Sequence, residues 1–362
     1  MRHGREPKST VHKLIKGSLN CSLQVSFPRR KSSQGPRTTL GFVFDIDGVL
    51  YSKWGCLRRA SRTLKYLQEM KIPFVFLTNR WQETASEGAS WVRKTFDLTA
   101  IAPIQYISGP SPFARLAPRF ADELVLLVGL NTERTKYMAK ILGFNNVITP
   151  VPKLLLWIRP TEPNKPEQDK QLIVDLLLSE HGVVGTVSGK NGEPGFPNWG
   201  YQQDEQPGIW FGVALPFRET LLQHFWEKTS CAITNITTFG KPAPENFRMA
   251  EIQLLQWHHH IHGADAPKID TVWMIGDNIN DDILGANRYN FDETFSICSW
   301  KTILVDTGLY HPGMLNGRSE MYWPSIFSTG VWDAVQLALR EKYEQHWWQT
   351  GGGNRDQGNS GN

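Results

Sequence analysis

The chain reads as an α/β protein built on a parallel sheet. Short, wholly apolar runs alternate along it with amphipathic stretches of helical length, and several of the runs stop abruptly in polar residues. With 362 residues, 40% hydrophobic and 20% charged, the chain can bury a substantial core and has room for more than one domain.

Residues 1–37 form a basic leader, with nine Lys/Arg against the single acid Glu6. That is a net +8 in a chain of net +4, so the remainder carries about −4 and is not a basic nucleic-acid binder. The leader has no apolar signal-peptide centre, but Val11, Leu14, Ile15 and Leu19 can share one helical face. Its composition fits a mitochondrial transit peptide and equally a disordered basic tail. Without a transit signal the expected location is cytoplasmic.

The first element is GFVFDID (41–47), a buried strand by its β-branched and aromatic run. Then come a helix in LRRASRTLKYLQEM, a strand in PFVFLTN, a strand in ELVLLVG and a helix in TERTKYMAKILGF. FGKP precedes the helix-like ENFRMAEIQLL, and TVWMIGD is a strand followed by the helix DDILGANRYN. The polar, glycine-rich GGGNRDQGNSGN at the end is too poor in apolar residues to pack. Four widely spaced cysteines without a CxxC pair argue against a zinc site or a disulfide framework. No apolar run is long enough to span a membrane.

Open parallel sheets place ligands beyond the carboxyl ends of their strands, so the residues that end the strands carry the functional argument. These are Asp45 and Asp47, Thr78 and Asn79, and Gly276 with Asp277; FGKP adds Lys241. Carboxylates at the end of a buried strand need a partner. Asp45, Asp277 and the Asp47 carbonyl are hard oxygen ligands suited to Mg²⁺. Asp45 can attack phosphorus, and Asp47, two residues on, can protonate the leaving oxygen and later deprotonate water. Thr78 and Asn79 can hydrogen-bond phosphoryl oxygens, and Lys241 balances charge on the transferring group.

FDIDGVL, LTN, GKP and GDNINDD, in this order, resemble the four motifs of the haloacid dehalogenase-like hydrolases over roughly residues 40–320. The sequence is most similar to subclass IIA, which contains NagD-type and pyridoxal-phosphate-type phosphatases. Within it, IVDLLLSEHG, FGKP and GDNINDDILGAN are closest to the cat-eye-syndrome critical region branch. The resemblance implies a Rossmann-like core with a C2-type α/β cap inserted between the second and third motifs. The expected division is core in 38–118, cap in 119–235, core again in 236–345 and a tail in 346–362. It further implies Asp45 as nucleophile, Asp47 as general acid/base and Thr78 with Asn79 on phosphate. Lys241 is the motif lysine, Asp45, Asp47 and Asp277 are metal ligands, and Asp282 supports the lysine and the metal waters.

Two departures fall where substrate is selected. Arg80-Trp81 stand where the family carries a small residue, and VVGTVSGKNGEPGFPNWG replaces the Asn-Pro-Asp-like cap loop of the subclass. Arg80 reads equally as a contact for a substrate anion or as a helix cap. Asp281 reads as a helix-start residue, and His258, His259, His260 and His262 as a solvated helix end rather than a metal site.

The expectation is a Mg²⁺-dependent phosphatase of a small phosphorylated metabolite. A catalytically weak scaffold protein and a phosphomutase are the rivals; Asp47 speaks against dehalogenation, which needs no such acid. Relatives dimerise through the cap, but no stripe in 119–235 marks such a surface.

Overall fold

The computed structural model describes residues 40–80, 83–120, 125–128, 132–145, 147–148, 210–211, 239–292 and 296–349. The basic leader, most of the 119–235 insert, its 183–200 loop, Trp81 and the glycine-rich tail lie outside the described residues.

The first strand, β1 (Leu40–Phe44), is followed by a small hairpin of β2 (Tyr51–Ser52) and β3 (Gly55–Cys56). Then come α1 (Ala60–Glu69), β4 (Phe74–Leu77), α2 (Ala85–Thr95) and β5 (Tyr106–Ile107). The chain returns through α4 (Pro244–His262), β9 (Thr271–Gly276), α5 (Leu284–Phe291), β10 (Ser299–Val305), β11 (Ile326–Ser328) and α6 (Val331–Gln349). Helix α6 therefore runs four residues past the core boundary expected at 345.

Six strands form one sheet in the order β11-β10-β9-β1-β4-β5, every pair parallel. This is the parallel α/β arrangement that the strand–helix alternation predicts, of the Rossmann-like type that the resemblance implies. β1 is central, with all five residues buried. Its alternate side chains serve two cores, as the two-residue period of a strand dictates. Phe42 and Phe44 pack with Phe74, Phe76, Trp273 and Ile275 beneath α1, α2 and α6. Val43 packs with Val75, Leu77, Val272 and Met274 against Phe247, Ala250 and Leu254 of α4 and Ala286 and Tyr289 of α5. Burial on both faces explains why β1, β4 and β9 read as continuous apolar runs rather than alternating ones.

Between the two halves of the sheet, β6 (Val125–Val128), α3 (Thr132–Leu142), β7 (Val147–Ile148) and β8 (Trp210–Phe211) make a separate three-stranded parallel sheet in the order β7-β6-β8. A contact reaches back to the core from α3, where Arg134 pairs with Glu87 of α2. Glu87 is also the acid of a capping box with Thr84, which closes the N-terminus of α2. The hydrogen bond from Arg134 holds the Glu87 carboxyl down at about 2.

Candidate active site

Five of the seven residues expected at the site are buried around one point at the carboxyl ends of β1, β4 and β9. Asp45 follows the last residue of β1, Thr78 follows β4 and Asp277 follows β9; they are 8%, 1% and 2% exposed. Lys241 and Asp282 are buried beside them. Oxygens of Asp45, Asp277 and Asp282 lie within 4.8 Å of one another.

Lys241 ties this cluster together. Its Nζ donates to Asp45 Oδ1 at 2.8 Å and to Asp282 Oδ1 at 2.7 Å. Asp282 accepts the Asn278 N–H on its other oxygen at 3.1 Å. Its side chain folds over the end of β9, where a Cβ on Gly276 would meet the Asp282 Cβ at 2.2 Å. That close approach explains the glycine before Asp277. Residues Ile279–Ile283 form one π-helical turn, capped by the Asn278 side chain on the Asn280 N–H, and the turn delivers Asp282 to the lysine. Asp281 sits in that first turn, at the start of the helical segment, and accepts from the Asn278 amide at 2.9 Å.

Asp45 Oδ1 takes the Lys241 ammonium and the Ile46 N–H. Burial, followed by the repulsion of Asp282 and Asp277, pushes its carboxyl up to about 8 against the pull of Lys241. Asp277 accepts from the Leu309 N–H at 2.6 Å and is pushed up to about 6 by burial and by Asp282. Asp281 is also pushed up to about 6, by burial first and Asp282 second. Acids crowded and raised in this way, with one ammonium among them, are short of positive charge.

That shortage is what a bound divalent cation would make good, and the residues present fit one. Three carboxylates converge as hard oxygen donors. The Asp277 carboxylate also lies in a cradle made by residues without side chains: a Cβ on Gly48 or Gly308 would fall 2.2 Å or 1.9 Å from its Oδ2.

Two of the expected residues have partners that the sequence does not reveal. The Asn79 amide is spent on the main chain of Lys241, accepting its N–H at 2.7 Å and donating to its carbonyl at 3.0 Å. Its side chain thus positions the lysine. The Asp47 carboxylate stands outside the acidic cluster, half exposed and bound through both oxygens by Arg80, at 2.9 Å from Nε and 2.7 Å from Nη2. The metal contact expected from Asp47 is through its main-chain carbonyl, so this pairing leaves that expectation standing. Arg80 is therefore neither a helix cap nor free, a role that nothing in its local sequence reveals.

The histidine run is also less uniform than expected. His259 and His260 are exposed, but His258 is buried, with Nε2 2.8 Å from the Pro267 carbonyl. Burial holds its imidazole below the usual range.

Two family models match the two segments that carry these residues. A model of haloacid dehalogenase-like hydrolases matches residues 42–144, and a second HAD-like hydrolase model matches 238–334. A cardiolipin synthase (CMP-forming)/mitochondrial hydrolase fusion protein of Schizosaccharomyces pombe is 28% identical over 86% of this chain. The chain spans 55% of that protein's length. A mitochondrial hydrolase of Saccharomyces cerevisiae is 26% identical over 84% of this chain and 96% of its own. Among solved structures, the p-nitrophenyl phosphatase of Archaeoglobus fulgidus is 15% identical, covering 82% of this chain and 98% of its own at a TM-score of 0.49. The two matched models together span more than half the chain and contain Asp45, Thr78, Lys241 and Asp277 in order, so the chain belongs to the haloacid dehalogenase-like hydrolases.

Proposed function

We propose that the protein is a Mg²⁺-dependent phosphatase that hydrolyses a small phosphomonoester through an aspartyl-phosphate on Asp45. The observation that carries this reading is the buried convergence of Asp45, Asp277 and Asp282 with Lys241 at the sheet edge. Asp45 and Asp277 would hold the cation, with the Asp47 carbonyl. Bound there, Mg²⁺ would supply charge neutralisation for the acids and for the incoming phosphoryl oxygens.

The chain's own groups account for the remaining chemistry. Both hydrogen bonds to Asp45 fall on Oδ1, so Oδ2 is the oxygen that attacks phosphorus. As the Oδ2–P bond forms, the bond from phosphorus to the leaving oxygen breaks, and Asp47 gives that oxygen a proton. Asp47 then takes a proton from water, whose oxygen attacks phosphorus and displaces Asp45. The sum is ester plus water to alcohol plus inorganic phosphate. Thr78 Oγ1 accepts the Arg80 N–H at 3.3 Å, and its O–H would donate to a phosphoryl oxygen. Lys241 balances the charge on the transferring group, while Asp282 and Asn79 hold the lysine in place.

The insert at 119–235 is read as a C2-type cap of subclass IIA that excludes water and selects substrate. The names of both relatives support a mitochondrial location, with the basic leader as transit peptide.

The test is phosphate release from p-nitrophenyl phosphate and a metabolite panel, with Mg²⁺ and with chelator, for wild type and Asp45→Asn. Metal-dependent turnover abolished by the substitution is expected. Folded, Mg²⁺-binding protein that hydrolyses nothing would put the scaffold reading first.

A further inference from the structure

Arg80 takes no part in the steps above, yet it is among the most firmly held side chains near the site. Its forked pair with Asp47 is backed by Trp91, whose ring centroid lies 4.2 Å from the guanidinium carbon. Trp91 is held edge-on by Tyr51 and Phe96. Glu83 Oε1 accepts from Arg80 Nη1 at 3.5 Å, and Glu83 in turn accepts from the buried Tyr106 hydroxyl. The Arg80 side chain is only 21% exposed, so it is not a solvated surface cation.

The pairing has a chemical consequence, which rests on the phosphatase reading. Asp47 must come within hydrogen-bond reach of the leaving oxygen. The attacking and leaving oxygens lie in line across phosphorus. A cation attached to Asp47 therefore stands on the leaving-group side, beside the first atoms of the departing alcohol. The transferring phosphoryl group has Lys241 and Thr78 already. When Asp47 turns to the leaving oxygen it releases Arg80, and a partly buried guanidinium fork is left needing a planar anion.

We propose that Arg80 is a specificity-determining residue, which exchanges Asp47 for a carboxylate carried by the alcohol part of the substrate. The preferred esters then bear a carboxylate within a few bonds of the ester oxygen. The same exchange frees both oxygens of Asp47, which then takes a proton from solvent and passes it to the leaving oxygen.

O-Phosphoserine and O-phosphoethanolamine differ by one carboxylate and make the test. kcat/KM is measured for both with wild type, Arg80→Gln and Arg80→Lys, and thermal melts check that each variant is folded. Wild type should favour O-phosphoserine by about 10- to 100-fold, the range of a charge-assisted pair. Arg80→Gln should bring the ratio near one, mainly through KM, and Arg80→Lys should restore part of it. Equal losses on both esters in Arg80→Gln, or an unchanged ratio, would overturn the proposal and leave Arg80 as a strut for Asp47. A wild type that prefers O-phosphoethanolamine would overturn it as well. The phosphatase reading is judged separately, by Asp45-dependent hydrolysis of p-nitrophenyl phosphate. Calorimetric binding of the two esters to Asp45→Asn protein, with and without Arg80→Gln, reads the same ratio without turnover.

Discussion

Replacing Gly308 by alanine tests the cradle around Asp277 directly. The new Cβ would lie 1.9 Å from Asp277 Oδ2, 2.6 Å from its Cγ and 2.8 Å from Gly48 Cα. Ordinary contact begins at 3.4 Å, so about 1.5 Å of movement is needed. Asp277 cannot yield that much while Oδ2 keeps the Leu309 N–H at 2.6 Å, and the Gly48 main chain limits retreat of the loop. A misplacement of about 1 Å in a catalytic group can cost about 100-fold in rate. Gly308→Ala should therefore lose about 100-fold in kcat/KM for p-nitrophenyl phosphate, equivalent to about 2.7 kcal/mol, and need more Mg²⁺ for half-saturation. Gly330→Ala is the control, because its Cβ would meet nothing closer than Thr307 Cγ2 at 3.9 Å. Wild-type turnover and Mg²⁺ dependence in Gly308→Ala would show that Asp277 is not central to the site.

Three further outcomes are expected. Lys241→Met leaves Asp45 and Asp282 buried without their cation, and should cost about 3–5 kcal/mol in urea unfolding and abolish turnover. Asp45 and Asp277 have folded values near 8 and 6, above their unfolded ones. The metal-free protein binds extra protons between about pH 4 and 8, so its stability is full below that window and falls as pH rises through it. Melting in chelator should show that decline, and Mg²⁺ should reverse it most at the alkaline end. Buried Glu251 accepts from Tyr289 Oη, the Ile297 and Cys298 N–H groups and Trp300 Nε1, all at 2.9–3.0 Å. Glu251→Gln turns an NH₂ toward those donors and should cost about 3 kcal/mol, measured by denaturant unfolding, without changing kcat/KM per folded molecule.

The sheet was legible because strands buried on both faces have little freedom in composition: Phe42, Val43 and Phe44 each face a core. The polar ends were legible for the same reason, since Asp45 and Asp277 interrupt runs that packing would otherwise keep apolar. Partnerships across the sheet were not legible. Asn79 reads as a phosphate contact by its position, and nothing local signals its bonds to Lys241, 162 residues away. Arg80 was open between two roles because its partner, Asp47, is 33 residues distant. Glu251 had a signal that went unread: it shares a helical stripe with Phe247, Ala250 and Leu254, where an acid is out of place unless it is fully hydrogen-bonded. The short β5 and β11 are defined by pairing with β4 and β10, and too few residues mark them locally.

The pair of hydrogen bonds between Asn79 and the main chain of Lys241 also acts as a staple at the base of a very large loop. Closing a flexible loop of that length costs about 4–5 kcal/mol of chain entropy, while doubling it adds only about 0.6. Once the staple and the adjoining strands have met the first cost, a change of length in the part of the chain beyond β5 adds little further closure entropy. The sheet edge that carries Asp45, Lys241 and Asp277 is thereby buffered from changes of length in that part of the chain.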